Sequence, residues 1–185
     1  MALVGRSHVG KSLLINALTD RQIARTGAKP GTTRLVNIYR VRVSVSVRMR
    51  PLDFTLADLP GYGFARGGNE TRRGFENLTR EFFDHAVVDR MPARSTTRAF
   101  RLAGSILLID GRHPGLAADL TAHAWLRDRR YPLRVVTTKN DRLSRAKRVQ
   151  MHREHERHFG GRVLAVSSKT GAGIDDVWTA IASLL

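Results

Sequence analysis

The 185-residue chain contains no cysteine. A disulfide scaffold, a thiolate zinc site and a cysteine nucleophile are therefore excluded, and the absence fits a reducing compartment. No stretch approaches the ~18 consecutive apolar residues of a membrane span, so none is expected. The opening residues, MALVGRSH, lack the apolar region of about 7–15 residues that a secretory signal needs. Acids are scarce: 16 Asp and Glu stand against 32 Lys and Arg, which leaves a net charge of +16. Lysine is scarcer still, with 5 Lys beside 27 Arg. Arginine in place of lysine is explained equally well by the coding bias of a genome, but such bias does not explain the surplus of positive charge. A chain this basic repels itself unless it meets a polyanion, so nucleic acid or an anionic membrane surface is the natural partner.

Hydrophobic residues make up 42% of the chain, enough for one sizeable core. The length is that of one domain, read here as residues 1–185, on a scale of ~100–200 residues per domain. Short apolar runs alternate with amphipathic stretches, the pattern of an α/β fold with a mainly parallel sheet. Strands are predicted at 1–4, 35–48, 54–57, 105–110, 133–137 and 162–166. The segment 35–48 places Val41, Val43, Val45 and Val47 on one face, the period of a half-buried strand that could pair antiparallel with 54–57. Helices are predicted at 11–19, 72–89, 117–129, 144–159 and 174–185. Trp125 and Trp178 fall on the apolar sides of two of them and are expected in the core. Residues 90–101 (RMPARSTTRAFR) carry four arginines and no acid. They read as an exposed basic loop or, equally, a solvated linker.

Gly5-Arg6-Ser7-His8-Val9-Gly10-Lys11-Ser12 matches G-x-x-x-x-G-K-[ST] between an apolar strand and a helix, the context that pattern requires. Glycines there let backbone N–H groups close around phosphate oxygens, and the helix N-terminus adds its partial positive charge. Lys11 would reach the β- and γ-phosphates, and the Ser12 hydroxyl would ligate Mg²⁺. Asp58-Leu59-Pro60-Gly61 ends a strand; its carboxylate can hold Mg²⁺ through water, and the Gly61 N–H can meet the γ-phosphate. Without the first motif, an ordinary Pro-Gly turn would be the better reading. In Thr138-Lys139-Asn140-Asp141 a carboxylate at Asp141 can accept from N1–H and N2–H₂ of guanine, donors that adenine lacks at those positions. Lys139 would pack along the base, and a backbone N–H within Ser167-Ser168-Lys169 could bond guanine O6. In Lys29-Pro30-Gly31-Thr32-Thr33 a threonine could coordinate Mg²⁺ and close over the γ-phosphate.

GRSHVGKSLLINALT, KPGTTRLVN, DLPGYGFA, LLIDGRHPG followed by Asp119 and Trp125-Leu126, TKNDRL and SSKTGAGIDDV occur in an order that resembles the translation-factor-related GTPases, most closely the EngB family. The resemblance covers almost the whole chain. It implies a Ras-like P-loop GTPase domain: an α/β fold with a mostly parallel six-stranded sheet and helices on both faces. The implied activity is hydrolysis of GTP to GDP and phosphate as a switch in large-subunit ribosome assembly, in a family also linked to cell division and septation. GTP or GDP and Mg²⁺ would be the cofactors. Phosphate binding then falls on Gly5 through Ser12. Gly31, Thr32 and Thr33 form switch one, with Thr33 a Mg²⁺ ligand beside Ser12 and Asp58. Asp58 and Gly61 belong to switch two. Thr138, Lys139 and Asp141 read guanine, and Ser167 and Ser168 lie on its O6 side. Lys11, Thr33 and Gly61 are the implied catalytic residues. The implied partners are the large ribosomal subunit precursor and rRNA. Arg66, Arg72, Arg73 and the 90–101 loop are the candidate rRNA contacts. A monomer in the bacterial cytosol is the default, with the mitochondrial matrix or another organelle open.

Three features depart from the family. His8 stands where Asn helps hold an activating K⁺ in related GTPases, and a neutral imidazole is a poor K⁺ ligand, so K⁺ stimulation is doubtful. The chain begins four residues before Gly5, where the family has more sequence, so the first strand is expected to be clipped or the start incomplete. The 90–101 loop looks longer than the family's connection. Against Ras-type enzymes a further difference, shared by the family, is Tyr62 in place of a water-orienting Gln. Slow intrinsic hydrolysis, on the order of 10⁻⁴–10⁻³ s⁻¹, is therefore expected, with acceleration on a partner particle. A hydrolysis-poor GTP-binding factor on rRNA is the alternative. An ATPase or nucleoside kinase is disfavoured, because the Thr138-to-Asp141 motif has no purpose without guanine.

Overall fold

A short run that is apolar at every position must be covered on both faces. The computed structural model, which describes residues 1–25, 36–43, 51–62, 77–87 and 100–185, places such runs at the centre of one sheet. Strands β1 (Ala2–Gly5), β2 (Asn37–Val43), β3 (Leu52–Asp58), β6 (Ser105–Asp110), β7 (Leu133–Thr138) and β8 (Val163–Ala165) line up in the order β2-β3-β1-β6-β7-β8. β2 pairs antiparallel with β3, and every other neighbour is parallel. β6 is buried at all six positions.

Successive side chains of a strand point to opposite faces, so each buried run feeds two cores. Leu3, Ile106, Leu108, Val136 and Leu164 face one side. There they meet Leu14, Ile15 and Leu18 of α1 (Lys11–Thr19) and Val177, Trp178 and Ile181 of α5 (Ile174–Ala182). Ala2, Val4, Leu107, Ile109, Val135 and Val163 face the other. That core is closed by Phe83 of α2 (described over 77–84), Leu126 of α3 (Ala117–Asp128) and Phe159 of α4 (Arg145–Phe159). The expected architecture of helices on both faces is therefore present. Helix α4 is strongly polar and buries only Met151, His155 and Phe159, spaced four apart on one stripe. Its ends are set locally: the Ser144 hydroxyl accepts from Lys147 N–H, and Gly160 closes the helix in the left-handed region.

Four expectations need correction or lie elsewhere. The helix expected to reach residue 89 ends at 84; residues 86–87 instead form β4, which pairs in parallel with β5 (Phe100–Arg101) as a separate two-stranded sheet. Tyr131 explains the change of course, since its hydroxyl donates to the Ala86 carbonyl at 2.8 Å. Arg101 accordingly belongs to a strand rather than to the basic loop, whose residues 90–99 lie outside the described residues. Trp178 is buried edge-on against Phe54, as expected, whereas Trp125 is only half-buried, between Phe83 and the Arg129 guanidinium. Val45, Val47, Arg66, Arg72 and Arg73 lie outside the described residues.

Leu108 is fully buried in the strand that joins β1 to β7. Leu108→Ala is expected to lower unfolding free energy by about 2–5 kcal/mol, read from urea denaturation. A loss below about 1 kcal/mol would contradict the central placement of β6.

Candidate functional site

Parallel strands deliver their following loops to one edge of the sheet, and the loops after β1, β3, β6, β7 and β8 converge there. The loop after β1 turns into α1 at Gly10, whose φ of +110° suits glycine alone. Lys11 opens the helix and is 8% exposed; its Nζ donates to the Gly5 carbonyl at 3.2 Å. Burial lowers the Lys11 ammonium pKa, and the charge of Asp58 opposes that shift. Asp58, 1% exposed, is affected inversely: burial pushes its carboxyl up, and Lys11 pulls it down. Its Oδ1 is buried with no hydrogen-bond partner among the described residues.

A buried carboxylate oxygen without a donor is an electrostatic deficit that a cation would fill. Asp58 at the end of β3 and Ser12 in the first turn of α1 offer hard oxygens of the kind Mg²⁺ prefers. The donor set therefore fits this ion. Gly31, Thr32 and Thr33, the remaining switch-one candidates, lie outside the described residues.

Gly61 lies flat against the phosphate loop. A Cβ there would stand 2.7 Å from Ser7 N and 2.8 Å from Ser7 Cα. Ser7 N–H donates to the Tyr62 carbonyl at 3.1 Å, and Ser7 Oγ donates to the Gly61 carbonyl at 3.4 Å. His8 is exposed with φ +60°, and the Arg6 guanidinium turns away from the loop to Asp119.

The loop after β7 is bound to the same unit. Thr138 Oγ1 donates to the Val9 carbonyl at 2.6 Å, and Lys139 Nζ donates to the His8 carbonyl at 2.7 Å. Thr138 is thus a brace on the phosphate loop rather than a group free to touch a base. Lys139 also donates to Asp110 Oδ2 at 2.9 Å, and Arg112 binds the same carboxylate through Nε at 2.9 Å and a terminal nitrogen at 2.7 Å. Burial alone would raise the Asp110 pKa, but bonds from Arg112 and Lys139 outweigh it and hold the carboxyl well below the usual range.

Asp141 accepts from Ser167 Oγ at 2.8 Å, which lowers its pKa. The Ser167 N–H is committed to the Ala172 carbonyl at 2.9 Å. Within the expected Ser167–Ser168 pair, Ser167 therefore orients Asp141, and Ser168 is half-buried beside it. Asn140, flanked by the motif but given no role from sequence, donates to the carbonyls of Thr137 and Val166 and fixes the turn. Sequence reasoning also missed Asp110 and Asp119 as organisers. The available signals, in a chain poor in acids, were an acid closing a strand for Asp110 and an acid opening a helix for Asp119.

A mostly parallel six-stranded sheet with a glycine-rich loop opening α1 at its carboxyl edge defines a Ras-like P-loop GTPase domain. Residues 1–139 match the 50S ribosome-binding GTPase family. The probable GTP-binding protein EngB of Geobacillus kaustophilus is 34% identical over 187 aligned residues, covering 98% of this chain and 84% of that one. A crystal structure of a probable GTP-binding protein engB superposes with a TM-score of 0.68 at 21% identity, covering 99% and 96% of the two chains. Era in complex with MgGDPNP and nucleotides 1506–1542 of 16S ribosomal RNA gives a TM-score of 0.74 at 20% identity. All of this chain is matched there, against 55% of Era. The chain belongs to the EngB family of GTP-binding proteins.

Asp110→Ala would leave Lys139 and Arg112 without their shared acceptor. Guanine-nucleotide affinity is expected to fall about tenfold in a fluorescent GDP titration. Because the folded-state pKa of Asp110 is depressed, its contribution to stability is complete above about pH 4 and is lost on further acidification. The stability gap between wild type and Asp110→Asn should narrow over that lower range.

Proposed function

We propose that the protein hydrolyses GTP as a Mg²⁺-dependent switch in assembly of the large ribosomal subunit, in contact with rRNA. The observation that carries the nucleotide part is the pair of bonds from Thr138 and Lys139 to the carbonyls of Val9 and His8. They join a phosphate-binding loop and a base-reading loop into one pocket. Gly5 through Ser12 would hold the phosphates, with Lys11 neutralising charge that develops on the β–γ bridge. Asp141, oriented by Ser167, would select guanine, and Ser168 would lie beside O6. Mg²⁺ on Ser12, Thr33 and Asp58 would neutralise phosphate charge. Gly61 would offer its N–H to the γ-phosphate.

Support for an RNA partner is the charge of +16, which gives strong, salt-sensitive attraction to a polyanion, and the RNA held by the fold relative Era. The family description, 50S ribosome-binding GTPase, favours the large subunit. Slow hydrolysis by the protein alone, with acceleration on the ribosomal particle, is supported by Tyr62. It stands where Ras-type enzymes place a water-orienting Gln, and its hydroxyl is occupied by Asp119 at 2.9 Å. The same bond favours the second reading, a hydrolysis-poor GTP-binding factor on rRNA. His8 in place of the family Asn argues against K⁺ stimulation. The bacterial cytosol, a monomeric state and a part in septation remain within this reading. Among the described residues no helix is long and apolar enough to cross a membrane.

Asp141→Asn is expected to exchange preference from guanosine to xanthosine nucleotides by at least about tenfold, measured with fluorescent GTP and XTP. Phosphate release measured with and without large ribosomal subunits separates the two readings. Stimulation on the particle supports the switch. Nucleotide binding without release in either condition supports the structural factor.

A further inference from the structure

We infer that Arg6, Asp119 and Tyr62 form a latch that holds Gly61 against the phosphate loop, so that a carboxylate on α3 sets the position of switch two. This rests on the GTPase reading above and names three positioning residues within it.

Asp119 lies in the first turn of α3 and is 2% exposed. An acid there is favoured by the helix dipole, but that preference is satisfied in solvent and does not account for burial. A buried carboxylate needs donors. Asp119 Oδ1 receives two, each at 2.9 Å: Arg6 Nε and the Tyr62 hydroxyl. Arg6 directly follows Gly5, and Tyr62 directly follows Gly61. One oxygen therefore grips the residue after Gly5, which opens the phosphate loop, and the residue after Gly61.

The main chain repeats the arrangement. Arg6 and Tyr62 form a parallel β-bridge, and Ser7 N–H donates to the Tyr62 carbonyl. Gly61 touches the Ser7 backbone so closely that no side chain fits. The ring of Tyr62 packs on the core beneath α2 and α3. Arg6 is 113 residues from Asp119, and Tyr62 is 57 away, so the latch exists only in the folded chain. Burial pushes the Asp119 carboxyl up on balance, and the Arg6 charge and the bonds from Tyr62 and Arg6 oppose that shift.

The consequence is specific to the third phosphate. GDP meets the phosphate loop but has no γ-phosphate for Gly61. A GTP analogue gains from Gly61 only if switch two is already docked. Releasing the latch makes the analogue bear the cost of ordering that segment. Triphosphate binding and turnover should weaken while diphosphate binding holds.

The test uses the full chain with Mg²⁺, titrated with fluorescent GDP and a non-hydrolysable GTP analogue, with GTP turnover measured in parallel. Tyr62→Phe keeps the packed ring and removes only the hydroxyl, so it isolates the hydrogen bond from the fold. Asp119→Asn and the double variant complete a cycle. Tyr62→Phe is expected to lose about tenfold in analogue affinity and turnover. GDP affinity should stay within about twofold, and the double variant should be no worse than the weaker single. Equal losses for both nucleotides, no loss for either, or additive effects in the double variant would overturn the latch. If wild type binds neither nucleotide, the GTPase reading falls and the latch with it. If wild type binds both and Tyr62→Phe behaves identically, only the latch falls.

Discussion

The site depends on the burial of three carboxylates at one edge of the sheet. Asp58, Asp110 and Asp119 are the acids that the described residues bury, at 1%, 4% and 2% exposure. An unpaired ion in such a place is costly enough to unfold the loop that carries it. Each is therefore met by a cation from the loops around it. Lys11 acts on Asp58 through its charge, Lys139 and Arg112 bind Asp110, and Arg6 binds Asp119. These pairings fix where the glycine-rich loop, the β3 exit and the β7 exit lie relative to one another. The sheet supplies the edge, but the buried acids determine its arrangement.

Charge is thereby sorted across the molecule. A chain with twice as many basic as acidic residues places acids where positive groups must be oriented, and most described arginines stay at the surface. Lys11, placed in the phosphate loop, is the lysine or arginine that is buried among the described residues. The other described lysines and arginines are exposed or half-buried. Charge that would destabilise a core instead raises the rate of encounter with a polyanion.

Much of the fold was legible because its signals are local. SILLID is apolar over its four inner residues and became a central strand; the segment with Val41 and Val43 alternates and became an edge strand. The helix at 145–159 was legible as an amphipathic stretch over 144–159, although Ser144 proves to be its cap rather than its first residue. β4 and β5 were not, since two-residue strands carry no period and the tyrosine hydroxyl that meets β4 comes from 45 residues away. The site divides along the same line. Gly5 through Ser12, Asp58 and the Thr138-to-Asp141 turn are written in consecutive residues. Thr138 was assigned to the base, yet its hydroxyl braces Val9, because that contact spans 129 residues. Asp110 and Asp119 were visible as residues, but their partners come from other loops.

The bond from Lys139 to the His8 carbonyl has a further effect. With the Thr138 bond to Val9, it ties the two halves of the site to each other. A nucleotide that spans both halves behaves as a chelating ligand, whose second contact is intramolecular once the first is made. A free nucleobase or bare pyrophosphate engages only one half and forfeits that advantage. Discrimination by such a pocket is a property of the intact nucleotide, greater than the sum of its fragments.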